Sequence, residues 1–128
     1  MTQQVVLITG AAGGIGGATR QRFLAGGWRV AAVDVKPMAD EDGVRAIHAD
    51  LLDVDQCRAA VEQAVAWAGR LDAVVNAAGL WTEGPSAEST EEEWDRVLGV
   101  NLKALYFVTT AAIVHLAATD GCVVNLSS

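Results

Sequence analysis

Residues 9–17 read TGAAGGIGG and lie between a short apolar run, Val5 to Thr9, and a helical pattern. Glycine tolerates a positive φ and allows backbone N–H groups to come close to a phosphate, and the N-terminus of a helix adds a partial positive charge. A strand, a glycine-rich loop and a helix in this order predict a turn that binds a pyrophosphate. A tight structural turn is the alternative explanation of the same glycines.

Short apolar runs recur along the rest of the chain, and several of them are almost continuous. Such runs are typical of parallel strands that are covered on both faces. The five predicted strands are Val5 to Thr9, Arg29 to Asp34, Val44 to His48, Ala73 to Asn76 and Cys122 to Leu126.

Helical patterns alternate with these strands. The second helix opens with a capping-box-like pair, Asp53 and Gln56, and the third opens with Thr90 and Glu93 in the same spacing. The predicted helices run from about Ile15 to Ala25, from Asp53 to the residue before Gly69, and from about Thr90 to about Ala118, the last with or without a kink.

This alternation of strands and helices implies right-handed crossovers between parallel strands. It predicts one doubly wound α/β domain over residues 1–128, with strand order 3-2-1-4-5.

The charge balance narrows the range of partners. The chain has 128 residues, with 9 Lys and Arg against 16 Asp and Glu, a net charge of −7. Nucleic acids and anionic membrane surfaces attract clustered positive charge, so neither is expected as a partner. The longest apolar stretch, Val97 to Ala118, is interrupted by Asn101, Lys103 and His115 and is predicted not to span a membrane. With only two cysteines, the expected compartment is reducing and cytoplasmic.

The second predicted strand ends in a carboxylate, Asp34, which lies 18 residues beyond Gly16. A carboxylate there accepts the hydroxyl hydrogens of an adenosine ribose and repels a 2′-phosphate, which favours NAD over NADP. Ala12 and Gly13 supply no cation for such a phosphate, but Lys36 is close in sequence and keeps NADP open.

Five motifs occur in a fixed order along the whole chain. They are TGAAGGIG at 9–16, Asp50-Leu51, Asn76-Ala77-Ala78-Gly79, Asn101, and Asn125-Leu126-Ser127-Ser128. In this combination the chain resembles the classical short-chain dehydrogenase/reductase family. The resemblance implies a Rossmann-type fold and an NAD-dependent oxidoreductase that interconverts an alcohol and a ketone.

The glycine loop alone resembles the loops of two branches of the family. Gly10, Gly14 and Gly16 fit the TGxxxGxG loop of the classical branch, whereas Gly10, Gly13 and Gly16 fit the TGxxGxxG loop of extended, epimerase-type relatives. The Asn-Ala-Ala-Gly segment favours the classical branch, although Ala77 stands where asparagine is commoner.

The resemblance also implies roles for individual residues. By resemblance, Gly10, Gly14, Ile15 and Gly16 would hold the pyrophosphate, Asp34 the adenosine ribose, Asp50 and Leu51 the adenine edge, and Asn76, Ala77 and Gly79 the region of the nicotinamide-side ribose. Asn101 would hold the helix and an ordered water in a proton relay, and Ser128 would hydrogen-bond the substrate oxygen. Ser127 is the alternative to Ser128. No residue is predicted to bind a metal.

In this family an active Tyr-x-x-x-Lys pair lies beyond the serine, and the lysine lowers the pKa of the tyrosine. Residues 1–128 lack the pair, because the one tyrosine, Tyr106, is followed four residues later by Thr110. We therefore expect that residues 1–128 are the truncated part of an enzyme and are inactive by themselves. A dinucleotide-binding module without catalysis is the alternative function.

The third predicted helix is apolar on all sides, so one sheet cannot cover it. The part of the enzyme expected beyond residue 128 is one cover for the other side, whereas the resemblance implies that this helix packs against its symmetry mate in a homo-oligomer, a dimer or a tetramer. We expect the contact to centre on Ala104, Phe107, Ala111 and Val114. The other expected partner is a small-molecule alcohol or ketone.

Overall fold

The computed structural model describes residues 3–127, and these form a parallel five-stranded sheet with helices on both faces. The strands are β1 (Val5–Thr9), β2 (Arg29–Asp34), β3 (Val44–His48), β4 (Ala73–Asn76) and β5 (Cys122–Asn125). Their order, β3-β2-β1-β4-β5, confirms the order predicted from the sequence. Strand β5 is one residue shorter than predicted, although the Leu126 N–H still donates to the Asn76 carbonyl at 3.2 Å.

Helical segments occupy the predicted places between the strands, and the third one is divided. They are α1 (Gly14–Ala25), α2 (Val54–Ala68), a short 3₁₀ turn (Ser86–Glu88), α3 (Glu91–Leu98), a π-helical turn (Gly99–Lys103) and α4 (Ala104–Thr119). The π turn takes the place of the predicted kink. Such turns occur mostly as single insertions within α-helices, often at functional sites.

Side-chain caps start two of the helices. Thr90 and Glu93 form the predicted capping box at α3, with the Glu93 N–H donating to Thr90 Oγ1 at 3.1 Å. At α2, Asp53 accepts the N–H groups of Asp55 and Gln56. The capping-box-like pair predicted there is therefore only half correct, because the Gln56 side chain accepts the Asp50 N–H at 2.7 Å instead of the Asp53 N–H.

The two faces of the sheet have different covers. Helix α1 covers one face with Phe23, Leu24 and the adjoining Trp28, whose ring meets Phe23 edge to face at 5.0 Å. Helices α2 and α4 together cover the other face. The strands between them are buried along their whole length in β1 and β4, as their continuous apolar sequence predicts.

Helix α4 turns one side to the core and leaves another side exposed. Ala104, Val108, Ala112 and Leu116 are buried, while the exposed apolar residues of the helix include Tyr106, Ile113 and Val114. Ala104 is only 2% exposed, so its prediction as part of an oligomer contact is wrong. Periodicity could not distinguish the two sides, because alanine occurs on both.

The stretch from Glu91 to Thr119 is long and apolar enough to cross a membrane by length and composition alone. This is weak evidence, because core helices of soluble proteins pass the same test. In this chain one side of α4 packs on the protein core.

An ion pair fixes the amino edge of the sheet. Asp72 is buried next to β4, and its Oδ2 accepts both the Val5 N–H at 2.9 Å and the Arg70 Nε–H at 2.8 Å. The Arg70 guanidinium holds the pKa of Asp72 below its ordinary value, and the Val5 N–H acts in the same direction. The carboxylate therefore ties the start of β1 to the segment that leads into β4.

We predict that Asp72→Asn lowers the free energy of unfolding by roughly 2 kcal/mol at neutral pH, because Arg70 loses its charged partner. The folded-state pKa is lowered, so this stability is present above the ordinary aspartate pKa of about 3.9 and is lost as the pH falls through the lowered value. Urea unfolding of both proteins from about pH 7 to about pH 2 measures the difference.

The control is Asp55→Asn, since the Asp55 side chain is 92% exposed and only pairs with Arg58 at 3.7 Å. This control should change stability little at any pH. A deficit of Asp72→Asn that stays constant into strong acid would contradict the assignment.

Candidate functional site

A cleft of about 820 Å³ lies at the carboxyl edge of the sheet, where β1, β2 and β4 end. Polypeptide from the loops after these strands and from α3 and the π turn surrounds it. Its lining includes the following predicted site residues: Gly10, Gly14, Ile15, Gly16, Asp34, Asp50, Leu51, Ala77 and Gly79. The structure thus brings residues from three of the five motifs, together with Asp34, to one cavity.

The glycine loop has no space for side chains at two positions. Gly10 has φ +66°, and a Cβ there would lie 2.8 Å from Ala78 Cα. A Cβ on Gly16 would lie 2.0 Å from the Gly10 carbonyl oxygen. The loop therefore folds tightly on itself and against the segment after β4.

Helix α1 begins at this loop without a side-chain cap from the described residues. Its N-cap is Gly13, and a Cβ on Gly14 would meet no atom within 4 Å. Uncapped N–H groups at a helix N-terminus attract anions. The geometry of Gly14, Ile15 and Gly16 therefore suits a phosphate, and binding of a pyrophosphate there stays a prediction.

Asp34 is 9% exposed at the end of β2 and faces the cleft. Its Oδ2 accepts the Ala12 N–H at 2.9 Å, and its Oδ1 accepts the Lys36 N–H at 3.0 Å. Each carboxylate oxygen has more than one lone pair, so both remain able to accept a further hydrogen. The carboxylate is thus held in place by backbone groups and is still available to a diol.

Asp50 and Leu51 form another part of the wall, beyond β3. Asp50 Oδ1 accepts the Leu52 N–H at 3.0 Å, which closes a local turn, and Leu51 is almost fully buried. Their contact with an adenine ring stays a prediction.

Asn76 differs from the other predicted residues because it does not line the cleft. Its side chain is 5% exposed, and its Nδ2 donates to Thr109 Oγ1 at 3.1 Å and to Asn125 Oδ1 at 2.9 Å. It therefore links β4 to α4 and β5 beneath the site. Its predicted role near a ribose stays untested, whereas Ala77 and Gly79 do face the cleft.

Asn101 lies in the π turn and clamps the loop after β4. Its Oδ1 accepts the Leu80 N–H and its Nδ2 donates to the Leu80 carbonyl, both at 2.8 Å. The amide is thus bound through its oxygen and one N–H to a single backbone residue, so it positions the loop that carries Gly79. Its predicted part in a proton relay stays a prediction.

Ser128, the second predicted catalytic residue, lies outside the described residues. The alternative, Ser127, follows β5 and is exposed.

Several wall residues were missed by the sequence reasoning as site residues. They are Val35, Ala49, Leu52, Ala78, Leu80, Arg96 and Val100, and Lys36 and Trp81, both considered from the sequence, line the same wall. Another missed contact is that of Thr9, whose buried Oγ1 accepts the Ala78 N–H at 3.1 Å and ties β1 to the loop after β4. Most of these residues lie next to a motif in sequence, and that adjacency is the only signal that points to them. Residues 3–127 contain no group of three His, Cys, Asp or Glu side chains that could hold a metal ion.

The fold and the cleft define a nucleotide-binding protein of the Rossmann type. The family model described as short chain dehydrogenase matches residues 4–128, and the chain belongs to this family. The resemblance stated from the sequence motifs is thereby confirmed.

Individual relatives share the match along the whole chain. An uncharacterized oxidoreductase of Schizosaccharomyces pombe is 37% identical over 98% of this chain and 50% of its own length. The meso-2,3-butanediol dehydrogenase of Serratia marcescens is 33% identical over 98% of this chain and 53% of its own length. The chain spans about half the length of these curated relatives.

A solved structure shows the same architecture. The ligand-free aldohexose dehydrogenase of Thermoplasma acidophilum superposes with a TM-score of 0.92 at 30% identity, covering 99% of this chain and 50% of that protein.

We predict that Gly16→Ala lowers the free energy of unfolding by about 2 kcal/mol or more, because backbone atoms of Gly10 occupy the position of the new Cβ. Gly14→Ala is the matched control in the same loop, since its Cβ would meet open space. Thermal or urea unfolding of the two variants measures the difference. Equal stability of the two variants would show that the loop is not as tightly folded as described.

Proposed function

We propose that this chain supplies the cofactor site of an NAD-dependent oxidoreductase that interconverts an alcohol and a ketone by hydride transfer. The observation that carries the proposal is the position of the Asp34 carboxylate in the same cleft as the uncapped glycine loop. A dinucleotide needs both groups, one for its ribose and one for its pyrophosphate.

The residues present fit such a cofactor. The glycine loop is a cradle that a Cβ would fill at Gly10 and Gly16, so backbone atoms form its surface. Asp34 keeps acceptor capacity on both oxygens while its orientation is set by the N–H groups of Ala12 and Lys36. No cationic side chain occupies the loop at Ala12 or Gly13, which supports NAD over NADP.

When bound, the nicotinamide ring gives or accepts the hydride. The residues of this chain bind the cofactor and orient it. Asp34 fixes the adenosine end, and Asn101 fixes the backbone of Leu80, one residue beyond Gly79 at the other end. Ser128, by the family resemblance, hydrogen-bonds the substrate oxygen.

The substrate we propose is a small molecule with an alcohol or ketone group. Two of the relatives named above act, by their names, on a butanediol and on an aldohexose, and both molecules carry alcohol groups on adjacent carbons. Cys57 and Cys122 are free thiols, which supports a reducing, cytoplasmic location.

The experiment on cofactor choice titrates NADH and NADPH into the natural full-length protein and follows nicotinamide fluorescence. We expect NADH to bind at least about tenfold more tightly, because Asp34 repels a 2′-phosphate. The double variant Asp34→Ser with Ala12→Arg should shift the preference towards NADPH. Equal affinity of the natural protein for both nucleotides would contradict the NAD assignment, and binding of neither would contradict the proposed function.

A separate activity assay tests the oxidoreductase part. Absorbance at the nicotinamide band should change when an alcohol or ketone is added to the protein with NAD(H). NADH binding with no turnover of any alcohol or ketone would favour a dinucleotide-binding module without catalysis.

We also propose that the exposed side of α4 is covered by a second copy of the protein. Tyr106 and Ile113 are about two turns apart on this side, and both are more than half exposed. Apolar side chains of this size on one helix side indicate an interaction surface. The symmetric contact expected from the sequence is kept, but it shifts from Ala104 towards these residues.

We predict that Ile113→Glu converts the oligomer into monomers, because a closed contact would bury two like charges. The control is Ala59→Glu, which places the same charge on the exposed side of α2. Light scattering coupled to size exclusion measures the mass of each. A natural full-length protein that is already monomeric, or an Ile113→Glu variant that stays oligomeric, would refute the contact.

A further inference from the structure

Trp81 is an exposed indole on the wall of the cofactor cleft. It is 74% exposed, the highest value among the large apolar residues that the structure describes as exposed. It lies in the irregular segment between β4 and the 3₁₀ turn and lines the same cleft as the glycine loop. Packing within residues 3–127 therefore does not account for a tryptophan at this position on the cleft wall.

The backbone that carries this indole is fixed. Asn101 holds both the N–H and the carbonyl of Leu80, the residue directly before Trp81. Two residues earlier, the Ala78 N–H donates to Thr9 Oγ1. Trp81 is thus an apolar surface attached to a rigid base, and a ligand that covers it need not order the loop first.

The position of Trp81 relative to the sheet assigns it to one end of the cleft. Strand order places β1 between β2 and β4. A dinucleotide with its ribose at Asp34, after β2, and its pyrophosphate at the loop after β1 extends towards the end of β4. Trp81 lies five residues beyond Asn76, the last residue of β4, so it borders the reacting end.

We propose that Trp81 is a specificity-determining residue that stacks against the ring of a cyclic hydroxylated substrate. This inference rests on the function proposed above. An indole offers a flat π surface that favours the C–H face of a saturated ring, while the ring hydroxyls remain free for hydrogen bonds. A short open-chain diol presents no such face and gains little from the indole.

The test uses two vicinal diols that differ mainly in the presence of a ring, cyclohexane-1,2-diol and meso-2,3-butanediol, together with glucose as a polyhydroxylated ring. The natural full-length protein, loaded with NAD, is compared with Trp81→Ala and Trp81→Phe. Trp94→Ala is the matched control, because Trp94 is 66% exposed on α3 but does not line the cleft.

We expect Trp81→Ala to raise KM for the cyclic substrates about tenfold with little change in kcat, and to leave the Kd of NADH and the KM of the butanediol within about twofold. Trp81→Phe should keep most of the affinity, and Trp94→Ala should match the natural protein.

Three results would overturn the inference while leaving the proposed function intact. They are an equal effect of Trp81→Ala on cyclic and open-chain diols, no effect on either, and normal NADH binding with no turnover of any cyclic substrate. A weaker Kd of NADH in Trp81→Ala would instead place the indole on the cofactor and would also overturn it. Failure of the natural protein to bind NADH would remove the proposed function itself.

Discussion

The contact between two backbones at Gly10 is the constraint on which the site depends. The turn after β1 approaches the segment after β4 so closely that a Cβ on Gly10 would lie 2.8 Å from Ala78. In the same turn, Gly16 then passes directly over the carbonyl group of Gly10. Where the glycine loop lines the cleft, the surface therefore consists of peptide groups, whose N–H dipoles are held in place by the fold.

The strands on either side of β1 position their site residues relative to this turn. Parallel pairing of β1 with β2 and with β4 sets Asp34 on one side of the turn and Gly79 on the other. Two further polar contacts maintain the spacing, since Asp34 accepts the Ala12 N–H and Thr9 accepts the Ala78 N–H. The cleft therefore owes its geometry to the strand ends together with the Asn101 contact from the π turn, which holds Leu80.

Local patterns in the sequence were sufficient for the strands, for most helix ends and for the strand order. Continuous apolar runs, the Thr90 capping box and the glycines after β1 each act over a few residues, so they can be interpreted without a structure. Contacts between distant segments were not accessible in this way. The amide of Asn76 is committed to Thr109 and Asn125, 33 and 49 residues away, and nothing near Asn76 signals that commitment.

Local patterns also failed to predict the burial of Ala104 in α4 and the contact between Asn101 and Leu80. A helix rich in alanine has no clear polar side, so periodicity placed Ala104 on the surface although it is buried. Asn101 was recognised through a family motif, but its hold on Leu80 spans 21 residues and depends on the π turn.

The π turn also lets one continuous helical stretch serve two purposes, because α3 lies against the cleft and α4 packs on the core. An additional residue in a turn changes the direction in which all later side chains point by about 100°. Helix α4 can therefore keep the angular phase that its buried side needs, while α3 faces the cleft in a phase of its own. The π turn lets the two helices take different rotations about their axes. Substitutions that rotate α3 during evolution therefore need not disturb the packing of α4.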